Sequence, residues 1–419
     1  MLNHDHQILL FPRDQIKVKT DQGYSMLKDS SGRSFWWSLL LVIVLMSIFA
    51  FIAYNYFGVR PSVGVDGTGE ISLPPGFVIE TYADDLGNSL VSYPGPDPGP
   101  RMLLQQNGVV YVSIPNRNLV AVLPDRDGDK RADEVGVFIS GLNYPHGLDY
   151  SDGWFYIAEE DQVIRVRDDD GDLVADANST EILIDDIPGG GHSTRTVKVN
   201  GSSLYLSIGS SCNVCYEEDE RRAAITKCDI DGSNCSVFAT GLRNSVGMVF
   251  HPETGELYAT DNGRDWLGDD LPPDEINLVE EGNDYGWPVC YSDNVRDTEF
   301  DTSISDENVC ENKTPSLVDL QAHSAPLGLV FYEGDTFPEE YLGDLFVCYH
   351  GSWNREEPTG YKIVNIDMDT LVVNDFATDW LDDNGTVIGR PVDVIVAEDG
   401  SLLVSDDNAG KVYRIYYAG

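Results

Sequence analysis

Short apolar segments recur along the chain from residue 99 onward. Each unit has a short apolar strand, a glycine-containing turn, a second strand that ends in a small or acidic residue, a loop and a third strand. The six units open at residues 101–113, 146–160, 195–209, 246–261, 327–349 and 392–407. Alternating strands, about four per unit, are typical of propeller blades. We therefore predict an all-β domain, a six-bladed β-propeller.

One further strand precedes the first unit. Residues 73–83 have the sequence LPPGFVIETYA, and we expect them to supply the outer strand of the last blade. Such closure of the ring removes sheet edges that would otherwise aggregate. The propeller is therefore predicted to extend over residues 73–419.

A long apolar segment lies near the N-terminus. Residues 35–57 contain no charged side chain and carry aromatic residues at both ends, as in a helix that spans a bilayer. Lys28 and Arg33 precede this segment and favour a cytoplasmic N-terminus. A cleaved signal peptide is the alternative, but the apolar segment is too long and no small-residue cleavage site follows it. We predict a tail (1–34), one transmembrane helix (35–57), a linker (58–72) and an extracytoplasmic propeller in a single-pass membrane protein.

The formal net charge is −44. Nucleic acids and anionic lipids are polyanions, so we expect neither as a partner. An acidic surface adapted to salt or calcium accounts for this charge, and metal binding by some of the carboxylates is the alternative.

All seven cysteines follow the apolar segment. We predict the disulfides Cys212–Cys215, Cys228–Cys235 and Cys290–Cys310, with Cys348 left over, which suits an oxidising compartment. Zinc binding is the alternative for Cys212 and Cys215, but no second CxxC or HxxxH motif accompanies them. Glycosylation sequons also fit an exterior domain; they begin at Asn178, Asn200, Asn234, Asn312 and Asn384.

Two loops share the pattern DxDGDxxxD. The first contains Asp125, Asp127, Asp129 and Asp133, and the second contains Asp168, Asp170, Asp172 and Asp176. Carboxylates at alternate positions around a glycine turn can surround a hard cation, as in an EF-hand loop, although the flanking helices and the closing glutamate are absent. We predict structural Ca²⁺ in both loops, with a plain acidic turn as the alternative.

Polar residues at the starts of the innermost strands should converge at one mouth of the propeller channel. As a set they favour a ligand site, whereas a hub hydrogen bond is the alternative for each one alone. The set contains His146, His192, Arg195, Arg243, Asn244, His323 and Arg390. The segments NGRD (262–265) and HGSWNR (350–355) follow second strands on the same face.

Five motifs now indicate a family. They are GGHSTRTVKV (190–199), GLRNSVGMVFHPETGELYATDNGRD (241–265), DEINLVEEGNDYGWPVCY (274–291), HGSWNR (350–355) and GRPVDV (389–394). Over residues 73–417 the chain resembles the glucose/sorbosone dehydrogenase family. SSCNVC (210–215) followed by RRAAI (221–225) resembles its L-sorbosone and pyranose dehydrogenase branch in particular. The resemblance implies a six-bladed propeller that uses pyrroloquinoline quinone (PQQ) and oxidises a sugar hydroxyl by hydride transfer to the C5 carbonyl carbon of the quinone.

The resemblance also implies residue roles. His192 matches the general base of the family, a task that suits a histidine, and Arg195 would help to fix it or polarise the quinone. Cations should surround the three cofactor carboxylates. The residues expected to bind the cofactor are Arg243, Asn244, Asn262, Arg355, Lys362 and Arg390.

The family holds an active-site Ca²⁺ largely through main-chain carbonyls, here in the segment Asn262, Gly263 and Arg264. The sequence departs from the family at two positions. Arg264 replaces the usual proline-type residue, and Val392 stands where the glucose dehydrogenase branch has a second arginine. These departures concern the details of cofactor binding rather than the fold.

We expect a sugar (aldose or sorbosone-type) dehydrogenase that passes electrons to a membrane quinone or a cytochrome. A non-catalytic propeller that binds a glycan or a protein is the first alternative. A calcium-dependent lactonase is the second, although that chemistry needs a Glu/Asp/Asn metal cluster at the hub.

Overall fold

The structure is a computed structural model that describes residues 17–20, 23–26, 62–64, 70–87 and 99–419. The chain forms two compact units, residues 1–60 and 61–419. In the first unit the strands Lys17–Thr20 and Gly23–Met26 pair antiparallel. Among the described residues no helix is long and apolar enough to cross a membrane. The transmembrane helix predicted at residues 35–57 lies outside the described residues and stays a prediction.

The second unit contains six four-stranded antiparallel sheets, which confirms the predicted six-bladed propeller. Blade 1 is formed by Leu103–Gln106, Val109–Ile114, Leu119–Leu123 and Gly136–Ser140. Blade 2 is formed by Leu148–Ser151, Trp154–Ala158, Val163–Val166 and Glu181–Ile184. Blade 3 is formed by Arg195–Asn200, Ser203–Ile208, Ala224–Asp229 and Ser236–Thr240. Blade 4 is formed by Met248–Phe250, Leu257–Asp261, Asp274–Val279 and Val318–Leu320. Blade 5 is formed by Pro326–Phe331, Leu345–Tyr349, Lys362–Asp367 and Val372–Ala377. Blade 6 is formed by Pro391–Val396, Leu402–Asp406, Lys411–Tyr417 and Phe77–Ala83.

The last blade closes the ring as predicted. Its fourth strand, Phe77–Ala83, comes from the start of the propeller and pairs antiparallel with Lys411–Tyr417 near the end of the chain. Phe77 is 3% exposed and packs edge-on against Phe337 and Phe376 of blade 5. This strand therefore completes the sixth sheet and seals its contact with the fifth.

Smaller elements decorate the ring. The strands Ser62–Gly64 and Glu70–Ser72 form one hairpin, and Cys290–Tyr291 and Val295–Arg296 form another. Two short 3-10 helices span Pro115–Arg117 and Glu339–Tyr341. Ile71, in the segment predicted to be a linker (58–72), is buried, and so is Leu73 just after that segment. The packed core therefore includes the end of that segment.

Glycines bring neighbouring blades into contact at the hub. A Cβ at Gly147, just before the first strand of blade 2, would lie 2.6 Å from the main-chain nitrogen of Val197 in blade 3. A Cβ at Gly247 would lie 2.6 Å from Leu329 Cδ2 in blade 5. Because both positions exclude a side chain, the innermost strands pack closely, and the residues at their starts are brought together.

The cysteine pairing is as predicted. The structure contains the disulfides Cys212–Cys215, Cys228–Cys235 and Cys290–Cys310. Cys348 is a free, buried thiol. Cys212 and Cys215 are therefore not zinc ligands in this structure.

The two acidic loops connect the third and fourth strands of blades 1 and 2. Ligand atoms of three carboxylates in each loop lie within 4.8 Å of one another: Asp125, Asp127 and Asp133 in the first, and Asp168, Asp170 and Asp172 in the second. The two remaining aspartates accept main-chain hydrogen bonds, from Arg131 to Asp129 at 2.9 Å and from Asp169 to Asp176 at 2.7 Å.

Candidate active site

The starts of first strands and the ends of second strands meet on one face of the propeller, which we call the mouth. Arg243, just before the first strand of blade 4, donates from Nη1 to the carbonyl oxygen of Asn262, just after its second strand, at 3.0 Å. Antiparallel pairing explains this arrangement, because the start of one strand lies beside the end of its neighbour.

His192 lies in the segment that leads into blade 3. Its Nδ1 is 3.0 Å from the carbonyl oxygen of Ser210 and 3.0 Å from the Ser210 hydroxyl. A carbonyl can only accept, so Nδ1 carries the proton and Nε2 presents a lone pair. No described residue forms a hydrogen bond with Nε2. This nitrogen is therefore available to accept a proton from a ligand.

Electrostatics keep His192 neutral. Burial lowers its pKa to about 4, and the positive charges of Arg243, Arg195 and Arg222 act in the same direction. At neutral pH the imidazole is therefore the unprotonated form that a general base requires.

Two arginines hold the backbone that carries His192. Arg195 is fully buried and donates to the carbonyl oxygens of His192 at 2.5 Å, Thr194 at 2.9 Å and Pro188 at 2.7 Å. Arg222 donates to the carbonyl oxygens of Pro188 at 2.7 Å and Gly209 at 3.0 Å. Because these N–H groups point at main-chain oxygens, Arg195 and Arg222 fix the backbone around His192.

Arg243 is part of a polar layer beside His192. It donates to the carbonyl oxygen of Asn213 at 2.9 Å and to the Asn213 side-chain oxygen at 2.9 Å, and it lies 3.4 Å from the Asp265 carboxylate. Asn213 belongs to the Cys212–Cys215 disulfide loop. The disulfide thus anchors the residue that orients Arg243.

Asn244 borders the same space. A Cβ at Gly209 would collide with the Asn244 side-chain oxygen and would lie 2.7 Å from His192 Cβ. Gly209 thus allows His192 and Asn244 to approach each other. The Asn244 side-chain amide has no hydrogen-bond partner among the described residues, so it can bind a ligand.

The segment Asn262–Arg264 follows the second strand of blade 4. The Asn262 side chain donates to the carbonyl oxygen of Pro326 at 2.8 Å, and Gly263 N donates to Asp274 at 2.8 Å. The Arg264 side chain forms a buried ion pair with Asp297 at 2.8 Å. Within the described chain the carbonyl oxygens of Gly263 and Arg264 accept no hydrogen bond, which leaves them available to a cation.

The remaining predicted cofactor residues differ in whether their positive charges are already paired with carboxylates. Arg390 lies over the Tyr361 ring, 5.3 Å from its centroid, and has no ion pair with a described carboxylate. Lys362 pairs with Asp375 of the outermost strand of blade 5 at 2.6 Å. Arg355 donates to the carbonyl oxygen of Asp269 at 2.5 Å and pairs with Asp270 at 3.2 Å. Of these three, Arg390 alone has no ion pair with a described carboxylate, so its positive charge is available to a ligand.

The other two histidines of the predicted mouth set are occupied or enclosed. His323 Nε2 lies 2.7 Å from the carbonyl oxygen of Gly268 and 3.1 Å from that of Leu271, so it braces a loop. His146 is fully buried, and neither ring nitrogen has a partner among the described residues. Burial holds the pKa of His146 well below its ordinary value.

A cluster of Arg101, His350 and Asp407 joins blades 1, 5 and 6 at the mouth. Asp407 accepts from His350 Nε2 at 2.9 Å and pairs with Arg101 at 2.6 Å. Burial opposes ionisation of Asp407, but His350 and Arg101 outweigh it and hold the pKa of the carboxyl well below its ordinary value. The sequence reasoning gave Asp407 and Arg101 no role, because only the ring brings them beside His350.

A family model described as TrAA12-like matches residues 99–418. This chain belongs to the TrAA12-like family. The resemblance to PQQ-dependent glucose/sorbosone dehydrogenases is thereby confirmed.

Individual proteins are similar to this TrAA12-like chain over most of its length. An uncharacterized protein of Borreliella burgdorferi is 32% identical over 84% of this chain and 92% of its own. A pyrroloquinoline quinone-dependent sugar dehydrogenase of Hypocrea jecorina is 21% identical over 75% of this chain and 79% of its own. The iodide structure of Trichoderma reesei Carbohydrate-Active Enzymes Family AA12 covers 85% of this chain and 100% of its own, with 19% identity and a TM-score of 0.71. The last likeness concerns the fold.

Sequence reasoning also assigned no role to Arg222, Asn213 and Ser210 of this TrAA12-like protein. Arg222 lies within the RRAAI segment and Asn213 within the SSCNVC segment. Both segments were informative about the family, but hydrogen bonds to main-chain oxygens leave no pattern in a single sequence. Their contacts with the His192 loop and with Arg243 emerge only in the fold.

Buried carboxylates lie behind the Asn262–Arg264 segment. Glu275 and Asp261 line a cavity of about 20 Å³ together with Arg243 and Arg264. Burial raises the pKa of Glu275 to about 7 and that of Asp261 well above its ordinary value. Glu275 accepts hydrogen bonds from Ser292 N at 2.7 Å and from the Asn277 side chain at 3.1 Å.

We predict that Glu275→Gln weakens the pH dependence of stability. A carboxyl whose pKa is raised in the folded state stabilises the fold fully below its unfolded pKa, and this contribution is lost as pH rises through about 7. As pH rises from 5 to 8, the free energy of unfolding of the native protein should therefore fall by up to about 3 kcal/mol through this one group. Each pKa unit corresponds to about 1.4 kcal/mol. Urea unfolding at pH 5 and pH 8 measures the difference.

Glu281→Gln is the matched control, because the Glu281 side chain is 72% exposed. It should keep the pH dependence of the native protein. An unchanged pH dependence in Glu275→Gln would contradict the assignment.

Proposed function

We propose that this protein is a quinoprotein that oxidises a hydroxyl group of a sugar or aldose, with His192 as general base and PQQ as cofactor. The observation that carries the proposal is the state of His192. Its Nδ1 is held by Ser210, its Nε2 has no partner among the described residues, and its pKa is lowered to about 4. Family membership and the relative named as a PQQ-dependent sugar dehydrogenase support the same conclusion.

The groups around His192 fit a cofactor with three carboxylates. The pKa of His192 is lowered by burial and by three arginines, so the surroundings are electropositive in a protein of net charge −44. The Asn244 side-chain amide, which has no partner among the described residues, and the guanidinium of Arg390 would bind carboxylate and carbonyl oxygens. Arg243, whose nitrogens already bond to Asn213, Asn262 and Asp265, would contribute mainly positive charge. PQQ, when bound, supplies the acceptor of the hydride.

The residues of the chain would then divide the work. Nε2 of His192 accepts the proton of the substrate hydroxyl, while Nδ1–H stays bonded to the Ser210 carbonyl and fixes the tautomer. Arg195 and Arg222 keep the imidazole in place through the main chain. Cofactor binding by Arg355 or Lys362 would require them to exchange Asp270 and Asp375 for the cofactor, so we assign these two a smaller contribution.

We also propose that the main-chain carbonyls of Gly263 and Arg264 bind a Ca²⁺ ion at the cofactor, with Asn262 adjacent. Their oxygens are uncommitted within the described chain, and carbonyl oxygen is a preferred ligand of this cation. Such an ion would act as a Lewis acid towards a bound carbonyl. The lactonase alternative is less well supported, because the triads of described aspartates close enough to share a cation lie in residues 125–133 and 168–176.

The membrane anchor remains part of the proposal. Residues 35–57 are predominantly apolar and contain no charged side chain, and three disulfides suit an extracytoplasmic domain. The helix would keep the propeller beside a membrane that contains a quinone or cytochrome as electron acceptor. Extraction of membranes with alkaline carbonate tests the anchor, because an integral protein stays with the lipid and a peripheral one is released.

We predict that His192→Ala abolishes turnover while PQQ binding persists. The full-length protein, loaded with PQQ and Ca²⁺, should reduce a dye in the presence of an aldose from a panel of sugars. The native kcat/KM should stay level through neutral pH and fall below about pH 4, because protonation of the imidazole removes the base. Absorbance titration measures PQQ binding separately.

His251→Ala is the control for this experiment, since His251 lies in the hairpin between the first two strands of blade 4. It should keep full activity. Full activity in His192→Ala would reject the assignment of the base, and the absence of both PQQ binding and activity in the native protein would reject the dehydrogenase function.

We propose that the aspartate triads in residues 125–133 and 168–176 bind structural Ca²⁺. The double variant Asp125→Asn/Asp127→Asn should lose part of the increase in melting temperature that Ca²⁺ gives the native protein, because two of the converging carboxylates become neutral. Differential scanning calorimetry with Ca²⁺ and with a chelator measures this. Asp152→Asn, in a hairpin turn of blade 2, should respond like the native protein. A native melting curve that Ca²⁺ does not shift would reject these sites.

A further inference from the structure

Two large aromatic side chains are exposed together at the mouth. Trp266 is 64% exposed and Trp353 is 65% exposed. Their ring centroids are 5.2 Å apart and the ring planes are almost perpendicular, at 86°. Single exposed apolar residues are common, but a contiguous aromatic surface marks a binding site.

The loops that carry the two tryptophans are fastened to each other. Asn354, next to Trp353, donates to Asp265, next to Trp266, at 2.9 Å. Glu356 N donates to the Asp269 carboxylate at 3.1 Å, and Arg355 bonds to the Asp269 carbonyl oxygen at 2.5 Å. The pair is therefore held in place before any ligand arrives, which limits the entropy lost on binding.

The backbone of Trp266 supports a role for this pair in binding. Its φ of +70° lies in the left-handed region, which is unfavourable for a bulky residue. Asp265, the preceding residue, is bonded through its N–H and its carbonyl oxygen to the side chain of Asn213. The strained conformation is thus maintained by neighbouring contacts and turns the indole outwards instead of burying it.

The pair borders the candidate active site without being part of it. Asp265 and Asn213 contact Arg243, and the charge of Arg243 is, after burial, the largest contribution that lowers the pKa of His192. Polar contacts through Asp265, Asn213 and Arg243 therefore link the Trp266 loop to the surroundings of His192. A ring on the indoles would not be the ring whose hydroxyl reaches Nε2, but it could be the next ring of the same molecule.

We propose that Trp266 and Trp353 form a stacking platform for a second pyranose ring, so that the protein binds oligosaccharides across its mouth. The C–H faces of a pyranose carry partial positive charge and pack on the electron-rich face of an indole. The carboxylates of Asp265 and Asp269 can accept hydrogen bonds from its hydroxyls. The class of ligand rests on the proposed function.

Binding to the full-length chain without PQQ tests the platform. The probes are cellotriose and maltotriose, with glucose for comparison, and intrinsic tryptophan fluorescence and calorimetry report the affinity. At least one trisaccharide should bind more tightly than glucose and should change the emission of the exposed indoles. Trp266→Ala and Trp353→Ala should each raise its Kd by about tenfold or more, equivalent to about 1.4 kcal/mol.

Trp353→Phe should recover part of the affinity, because it restores an aromatic face. Leu342→Ala is the matched control, since Leu342 is 61% exposed in the turn before the second strand of blade 5, away from the mouth. It should bind like the native protein. Both tryptophans are largely exposed, and circular dichroism should give the native spectrum for each variant.

Three results would overturn the platform. In the first, the native chain binds no trisaccharide. In the second, both alanine variants bind the trisaccharide with the same affinity as the native chain. In the third, the variants bind sugar normally but transfer electrons to a cytochrome more slowly. The last result would identify a protein docking surface. Dye reduction distinguishes this test from that of the proposed function. If trisaccharide binding depends on the tryptophans but no PQQ-linked activity is found, the platform stands and the dehydrogenase function is rejected. If the protein oxidises glucose but binds no trisaccharide, the dehydrogenase function stands and the platform is rejected.

Discussion

The pairing of Phe77–Ala83 with Lys411–Tyr417 is the constraint on which the propeller depends. It joins positions more than 300 residues apart, and the ion pair of Arg414 with Glu80 at 2.9 Å spans the same junction. Without this strand the sixth blade would lack its outer edge, and the ring would expose an unpaired third strand. Since the candidate site uses residues from blades 3 to 6, closure also determines whether those residues meet.

Main-chain hydrogen bonds from arginines organise the site inside this ring. Burying a guanidinium is costly unless its N–H groups find acceptors. Arg195 and Arg222 share the carbonyl oxygen of Pro188, and Arg243 uses Asn213 and Asn262. Each arginine thereby fixes a loop that would otherwise be free to move. The loops in turn hold His192 and Asn244 beside each other.

The charge around His192 differs from that of the whole molecule. A net charge of −44 makes the outer surface acidic, yet burial and three neighbouring arginines lower the pKa of His192 to about 4. The buried carboxyls behind the site change in the opposite direction, with Glu275 at about 7. Low dielectric explains both, because burial disfavours the charged form of each group. The site therefore combines positive charge from the arginines with a neutral imidazole.

The sequence alone determined the number of blades, the closing strand and the three disulfides. Period-two apolar strands and glycine turns report local pairing, and cysteine spacing restricts the possible partners. Motifs also singled out His192, Asn244 and Arg243 as candidate site residues, and the fold brings them to the same face. Only the tertiary structure decided that Arg195 faces main-chain oxygens, that Lys362 pairs with Asp375, and that Arg101, His350 and Asp407 form one cluster. The direction of a long side chain depends on partners from distant blades, and no local pattern in the sequence encodes that choice.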